Sequence, residues 1–315
     1  MTLHDLANEY VVLKRSSGSD FGSGAKILGA FARALGANTE LPAIGKDQVL
    51  AFLNGSGPFT DYWRHKYYIL AALYRYAISR GYATETPLPA YLPKRPASLV
   101  PYIYSRDEIR GLLDAANRYR KQGLHLEPDT FRAILLTLYG AALRISEAVN
   151  LNQADVDTHN AVLTIRETKF YKTRLVPVGS DLNRVLSNYW HRTLRCHGTR
   201  TDDAPFFVDR KGARLLLPTI RQAFSELRAM AGVRRSDGGR YQPRLHDLRH
   251  SSAVHRLTAW YAQGADVQRL LPRLSTYLGH YTVAATQKYL TMTPELLREA
   301  SARFEKYVFG EVWHD

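Results

Sequence analysis

The run PRLHDLRHSSAVHRL, residues 243–257, is followed after a variable segment by STYLGHYTVAATQKYL, residues 275–290. In the first, His246 and Arg249 stand three apart in a helix-compatible stretch and therefore share one face. In the second, Gly279 precedes His280, and Tyr289 follows nine residues after that histidine. Two histidines, an arginine and a tyrosine suit chemistry on a phosphate that uses no metal. Arginine forks onto two phosphate oxygens, imidazole moves protons near neutral pH, and a tyrosine can serve as a covalent carrier.

Upstream lie GAALRISEAVNL, residues 140–151, and TIRETKFYKTRLVPVG, residues 164–179. With Arg144 and Lys169 from these stretches, the order of separated positions resembles the phage-integrase, or tyrosine recombinase, family over roughly Ile103 to Phe304. The resemblance implies a mainly α fold with a small β-sheet: a helical, SAM-like core-binding domain and an α+β catalytic domain, closed on a duplex as a C-shaped clamp. It implies that Arg144 and Arg249 clamp a backbone phosphate, with Glu147 orienting them. His246 and His280 would bond the phosphate or help take the tyrosine proton. Lys169 would protonate the leaving 5′-hydroxyl. The family has Gly-Lys-Gly or similar here where this chain has Thr168-Lys169-Phe170, so Lys172 stays a rival for that role. Tyr289 would attack the phosphate; Tyr277 and Tyr281 stand too close to His280 for the family spacing. The products would be a 3′-phosphotyrosyl link and a 5′-hydroxyl. That link conserves the phosphodiester energy, so the resemblance implies no ATP, metal or other cofactor. Double-stranded DNA with an inverted-repeat core site would be the partner. Four protomers, all of this chain or shared with sister recombinases, would exchange strands through a Holliday junction. A segment after Tyr289 would dock on a neighbouring protomer; TPELLREASARFEKYVFG, residues 293–310, can equally fold back on its own domain.

Taken alone, several of these residues have plainer readings. Arg144 and Glu147 at i,i+3 could be a surface pair worth a few tenths of a kcal/mol. His246 and His250 at i,i+4 have zinc-ligand spacing, but they lack the Glu of H-E-x-x-H and an obvious third ligand. KRSSGSDFGSG, residues 14–24, fails the phosphate-loop pattern and reads as a flexible connector.

The 315 residues carry a net charge of +14, which favours a polyanionic partner. One cysteine, Cys196, permits no internal disulfide and fits a reducing compartment. No long apolar run and no signal-peptide core are present, so no membrane span and no export are expected; the family resemblance implies a cytoplasmic, nucleoid-associated bacterial protein.

In chain order, helical spacing covers residues 3–13, 25–35, 47–55 and 60–83. The last of these alternates Ile69, Leu70, Leu73, Tyr76 and Ala77 with Arg64, Lys66, Arg75 and Arg80, a basic face suited to a DNA backbone. Residues 84–101 hold five of the 14 prolines, with Lys94 and Arg95 among them, and read as a basic linker. The organisation expected is a DNA-binding domain over 1–92, a linker over 93–102 and a catalytic domain over 103–315. SRDEIRGLLDAANRY opens with a capping box; TFRAILLTLYG is an apolar helix ended by Gly140. AVLTIRETK and TRLVPVG alternate as two strands around a short turn, and the resemblance implies that Lys172 and Arg174 there bind DNA. Two rivals keep part of this picture: a type IB topoisomerase without partner exchange, and a DNA-binding accessory subunit without catalysis.

Overall fold

The computed structural model describes residues 1–57, 59–95, 100–120, 126–166, 173–239, 241–292 and 294–309. The chain divides into two compact units, Met1–Ser98 and Leu99–Asp315.

The first unit is built from α1 (Leu3–Ser16), α2 (Gly22–Leu35), α3 (Lys46–Asn54) and α4 (Asp61–Ser79). Thr2 caps α1 and Thr60 caps α4, each accepting from a backbone N–H of the first turn. Leu6, Phe31, Val49, Leu70 and Leu73 meet in one apolar core. The stretch expected to be a flexible connector is mostly helix. Only residues 17–21 join α1 to α2, and Gly22, Ser23 and Gly24 form the first turn of α2. Phe21 takes a left-handed conformation, φ +47°, and its ring lies across Gly24, where a Cβ would stand 2.3 Å from ring carbon. That ring also meets Tyr10 edge-on at 5.7 Å. The glycine is thus a packing requirement.

Lys66 departs from the basic face expected of α4. It is 8% exposed, and its ammonium donates to the Phe52 carbonyl at 2.5 Å while lying 4.9 Å from the Phe52 ring centroid. It closes the end of α3. Burial lowers its pKa. Arg75 is exposed on α4 and Arg80 at its C-cap, and Arg64 donates to the Pro93 carbonyl at 2.9 Å. Leu88 is buried in the same core, so the proline-rich stretch lies along α4 as far as Pro93.

The second unit opens with α5 (Arg106–Arg118), whose Ser105–Glu108 capping box forms as the spacing requires. It continues with α6 (Pro128–Gly140) and the short α7 (Ile145–Val149). Then come β1 (Val156–Asp157), β2 (Val162–Ile165) and β3 (Arg174–Pro177), an antiparallel sheet in that order; β1 was not expected. The remaining elements are α8 (Ser180–His197), α9 (Leu217–Met230), α10 (Leu245–Ala262), α11 (Val267–Leu278), α12 (Ala284–Gln287), a 3₁₀ turn (Lys288–Thr291) and α13 (Pro294–Phe309). A large core gathers α5, α6, α8, α9 and the sheet. A second, smaller core joins Ala253, Val254 and Leu257 of α10 to Leu271 and Leu278 of α11, with Tyr289 and Leu296. In this structure α13 therefore packs on its own chain through Leu296, while Leu297 and Phe304 of the same helix are exposed. No helix among the described residues is long and apolar enough to cross a membrane.

Gly24→Ala tests the Phe21 contact. A methyl group normally favours a helical position by about 0.5–1 kcal/mol, but here it must displace a packed ring, an overpacking cost of about 1–3 kcal/mol. A lowered urea midpoint is expected; an unchanged or raised one rejects the contact.

Candidate active site

The site grows from the C-terminal end of α11. Gly279 closes that helix at φ +65°, and a Schellman end forms as Gly279 N–H donates to the Thr276 carbonyl and His280 N–H to the Ser275 carbonyl, at 2.9 and 3.0 Å. The next three carbonyls, of Tyr277, Leu278 and Gly279, have no partner within the helix. Each accepts from a different arginine. Arg174 Nε reaches Tyr277 O at 3.2 Å, Arg249 Nη2 reaches Leu278 O, and Arg144 Nη2 reaches Gly279 O at 3.2 Å. Cations at a helix C-terminus also meet the negative end of its dipole. Gly279 is doubly constrained, because a Cβ there would stand 2.8 Å from the Arg174 guanidinium.

Glu147 faces the same three arginines. Its carboxylate takes Arg144 Nη1 at 2.6 Å and the Arg144 backbone N–H at 2.9 Å. Arg174 binds it with both terminal nitrogens, at 3.1 and 2.9 Å, and Arg249 lies 3.9 Å away. Burial would raise the Glu147 pKa, but the Arg174 hydrogen bonds, the Arg144 backbone bond and both guanidinium charges hold it down at about 2. Three guanidiniums against one carboxylate leave an excess of positive charge, an anion site.

Arg249 is 2% exposed, and its second fork arm donates to the Ala142 carbonyl at 2.6 Å. Ala142 presents that carbonyl from a left-handed conformation, φ +50°, between α6 and α7. Burial, then the Arg144 charge, lowers the Arg249 pKa to about 10, so the group stays charged at neutral pH.

Helix α10 supplies the histidines. Arg244 caps it with Asp247, whose carboxylate takes the Arg244 N–H at 2.9 Å and Nη2 at 2.8 Å. The Tyr104 hydroxyl donates to the Arg244 carbonyl and anchors this end. His246 is exposed on the first turn, and its ring meets that of His250 edge-on at 4.6 Å. His250 Nδ1 is 2.9 Å from the Tyr289 hydroxyl. His280 stacks on the Tyr289 ring at 6.1 Å and turns its Nδ1 to Thr286 Oγ1 at 2.8 Å. All three histidines are held below the ordinary range, by loss of hydration first and then by neighbouring cationic or imidazole groups: His250 at about 3, His280 at about 4, and His246 also lowered. Tyr289 is 3% exposed. Burial raises its pKa, while the charges of Arg249 and Arg144 pull it back.

Arg144, Glu147, Arg249, His246, His280 and Tyr289 thus come together, from three stretches of sequence, 144–147, 246–249 and 280–289. Lys169 and Lys172 lie outside the described residues. Arg174 corrects an expectation: set among DNA-facing residues, it is largely buried and committed to Glu147 and the Tyr277 carbonyl. Arg95, exposed, pairs with Asp61 at 3.0 Å, and Lys94 is exposed. His250 was weighed only as a metal ligand. Its i,i+4 relation to His246 put it on the right face, but nothing in the sequence tied it to Tyr289.

Residues 104–295 match the model of the phage integrase family. The Sinorhizobium fredii integrase/recombinase y4rB is 38% identical over 97% of this chain and 98% of its own length. Tyrosine recombinase XerD of Mycobacterium tuberculosis is 35% identical over 73% of this chain and 69% of its own. In fold, the chain resembles the Tn1549 transposon integrase in complex with transposon right-end DNA (TM-score 0.69, 14% identity, 97% and 99% of the two chains). It also resembles a lambda integrase tetramer bound to a Holliday junction (TM-score 0.68, 18% identity, 92% and 77%). By its sequence, its fold and the residues gathered at the end of α11, this chain belongs to the phage integrase family, the tyrosine recombinases.

Proposed function

We propose that the chain is a site-specific DNA recombinase that cuts and rejoins strands through Tyr289. The observation that carries this is the excess positive charge of Arg144, Arg174 and Arg249 around Glu147, set beside a phenol bonded to a neutral histidine. Arg144, one-third exposed at its side chain, and Arg249 would hold the non-bridging oxygens of a backbone phosphate. Removing one such preorganised donor typically costs about 2.7–4 kcal/mol of transition-state stabilisation. Being neutral at pH 7, His246 and His280 can donate one N–H each without adding charge. Lys169 keeps the general-acid role, with Lys172 as its rival. The first unit is proposed as the core-binding domain, with Arg64, Arg75, Lys94 and Arg95 facing the DNA backbone. Similarity to integrases and to XerD along most of the chain favours strand exchange over simple relaxation of supercoils. Exchange would proceed in a tetramer on paired inverted repeats, and work on chromosomal DNA would place the protein at the nucleoid.

The test uses nicked duplexes carrying sites that the full chain enriches from a random-sequence pool. An SDS-resistant protein–DNA adduct is expected, unchanged by EDTA and lost in Tyr289→Phe. No adduct on DNA that the chain binds, or an adduct surviving in Tyr289→Phe, rejects the assignment.

Glu147→Gln removes the carboxylate that the guanidiniums share and leaves buried positive charges facing one another. Breaking a buried pair in this way costs about 3–5 kcal/mol, read from denaturant unfolding of the full chain. A loss below about 1 kcal/mol, the range of an exposed pair, would show that Glu147 does not hold the cluster.

The depressed histidines also set a pH dependence. Unfolded histidine takes a proton near 6.5, whereas folded His280 does so only at about 4 and His250 only at about 3. Between these limits the unfolded chain binds more protons, so stability is full above the unfolded value and falls as pH drops. Thermal melts at about pH 7.5 and about pH 5 should show this fall, and His250→Asn or His280→Asn should each make it shallower. Equal slopes in all three proteins would contradict the assignment.

A further inference from the structure

We propose that His250 takes the proton of Tyr289 and fixes the direction of its hydroxyl for attack. This rests on Tyr289 being the nucleophile and adds a residue to that reaction. The Tyr289 hydroxyl is hydrogen-bonded with His250 Nδ1, at 2.9 Å, while Arg249, a cation with no acceptor, also bonds it and favours its anion. His280, stacked on the same ring, spends its Nδ1 on Thr286, and His246 touches His250 rather than the phenol. His250 thus stands within reach of the reacting oxygen, and His246, edge-on at 4.6 Å, limits rotation of the His250 ring.

The protonation state suits the task. Burial, followed by His246, holds the His250 pKa at about 3, so at neutral pH one ring nitrogen is bare and can accept. So weak a base does not strip the phenol in the resting site. The proton moves only as the phenol oxygen bonds to phosphorus and its acidity rises. The balance is complete: the Oη–H bond breaks as Oη–P forms, the proton passes to Nδ1, P–O5′ breaks, and the leaving oxygen takes a proton from the general acid. In rejoining, the incoming 5′-hydroxyl gives its proton to the deprotonated general acid as O5′–P forms, the Oη–P bond breaks, and His250 returns its proton to Oη.

Two measurements test this on the full chain. ¹⁵N NMR of histidine-labelled protein reads the tautomer, with the His250 resonances assigned through His250→Phe. A bare Nδ1 with the proton on Nε2, shifted in Tyr289→Phe, is expected. A protonated Nδ1 would make His250 the donor and overturn the proposal. Single-turnover adduct formation on the nicked duplexes described above should slow on the order of 10²-fold in His250→Phe, the low end for proton transfer by a positioned side chain. His250→Asn, which keeps an acceptor oxygen, should slow it less. Added imidazole should restore part of the rate in His250→Ala, which a merely structural role would not allow. A His250→Phe rate within about twofold of wild type, or a slow His250→Ala that imidazole does not help, overturns proton transfer. If wild type forms no adduct, or Tyr289→Phe still forms one, the nucleophile assignment itself falls and this inference falls with it.

Discussion

A single carboxylate makes the rest of the site possible. Arg144, Arg174 and Arg249 would repel one another across the same small volume, and desolvation of their charges would add to the cost. Glu147 compensates both, with hydrogen bonds to Arg144 and Arg174 and a position 3.9 Å from Arg249. It does not neutralise them. The excess charge left over suits an anionic group.

The other half of the arrangement is backbone. The three carbonyls left over at the end of α11 take one arginine each, so the helix terminus and the guanidiniums satisfy each other. This explains why Gly279 sits where it does. Its left-handed backbone turns the chain so that His280 follows directly, and its missing side chain leaves room for Arg174.

How much of this could be read from sequence depends on what fixes each residue. The arginine, histidine and tyrosine positions were legible because their spacing on α10 and around Gly279 is local, and because the family resemblance ordered the distant ones. The capping box of Ser105 and Glu108 and the end of α6 at Gly140 were local in the same sense. Arg174 was not legible. A strand arginine shows no mark of whether its partner lies in solvent or 27 residues back, and only the tertiary packing of β3 beside α7 and α11 decides it. Lys66 is a different case, a pattern read too loosely. Arg64 and Lys66 are two residues apart and cannot share a helix face, whereas Lys66, Leu70 and Leu73 follow the spacing of the buried side. Its fate was encoded in the same periodicity that defined the core. The glycines before α2 misled for a related reason: composition suggested flexibility, and the ring of Phe21 gave Gly24 a packing role instead.

Tyr289 and the arginine cluster share one support. The smaller core of the second unit contains Leu271, Leu274 and Leu278 of α11, the inner face of α10, and Tyr289 itself. The same α11 whose end holds three arginines therefore packs beside the tyrosine, and α10, which carries Arg249, also carries the histidine bonded to its hydroxyl. Arg249, His250 and Tyr289 are tied together, because the first two share α10 and the third is packed in the core that α10 and α11 form. Reacting groups need placement to within about 1 Å, beyond which rates fall on the order of 10²-fold. The smaller core, with Tyr289 inside it and Arg249 and His250 on the helix that bounds it, is suited to that tolerance.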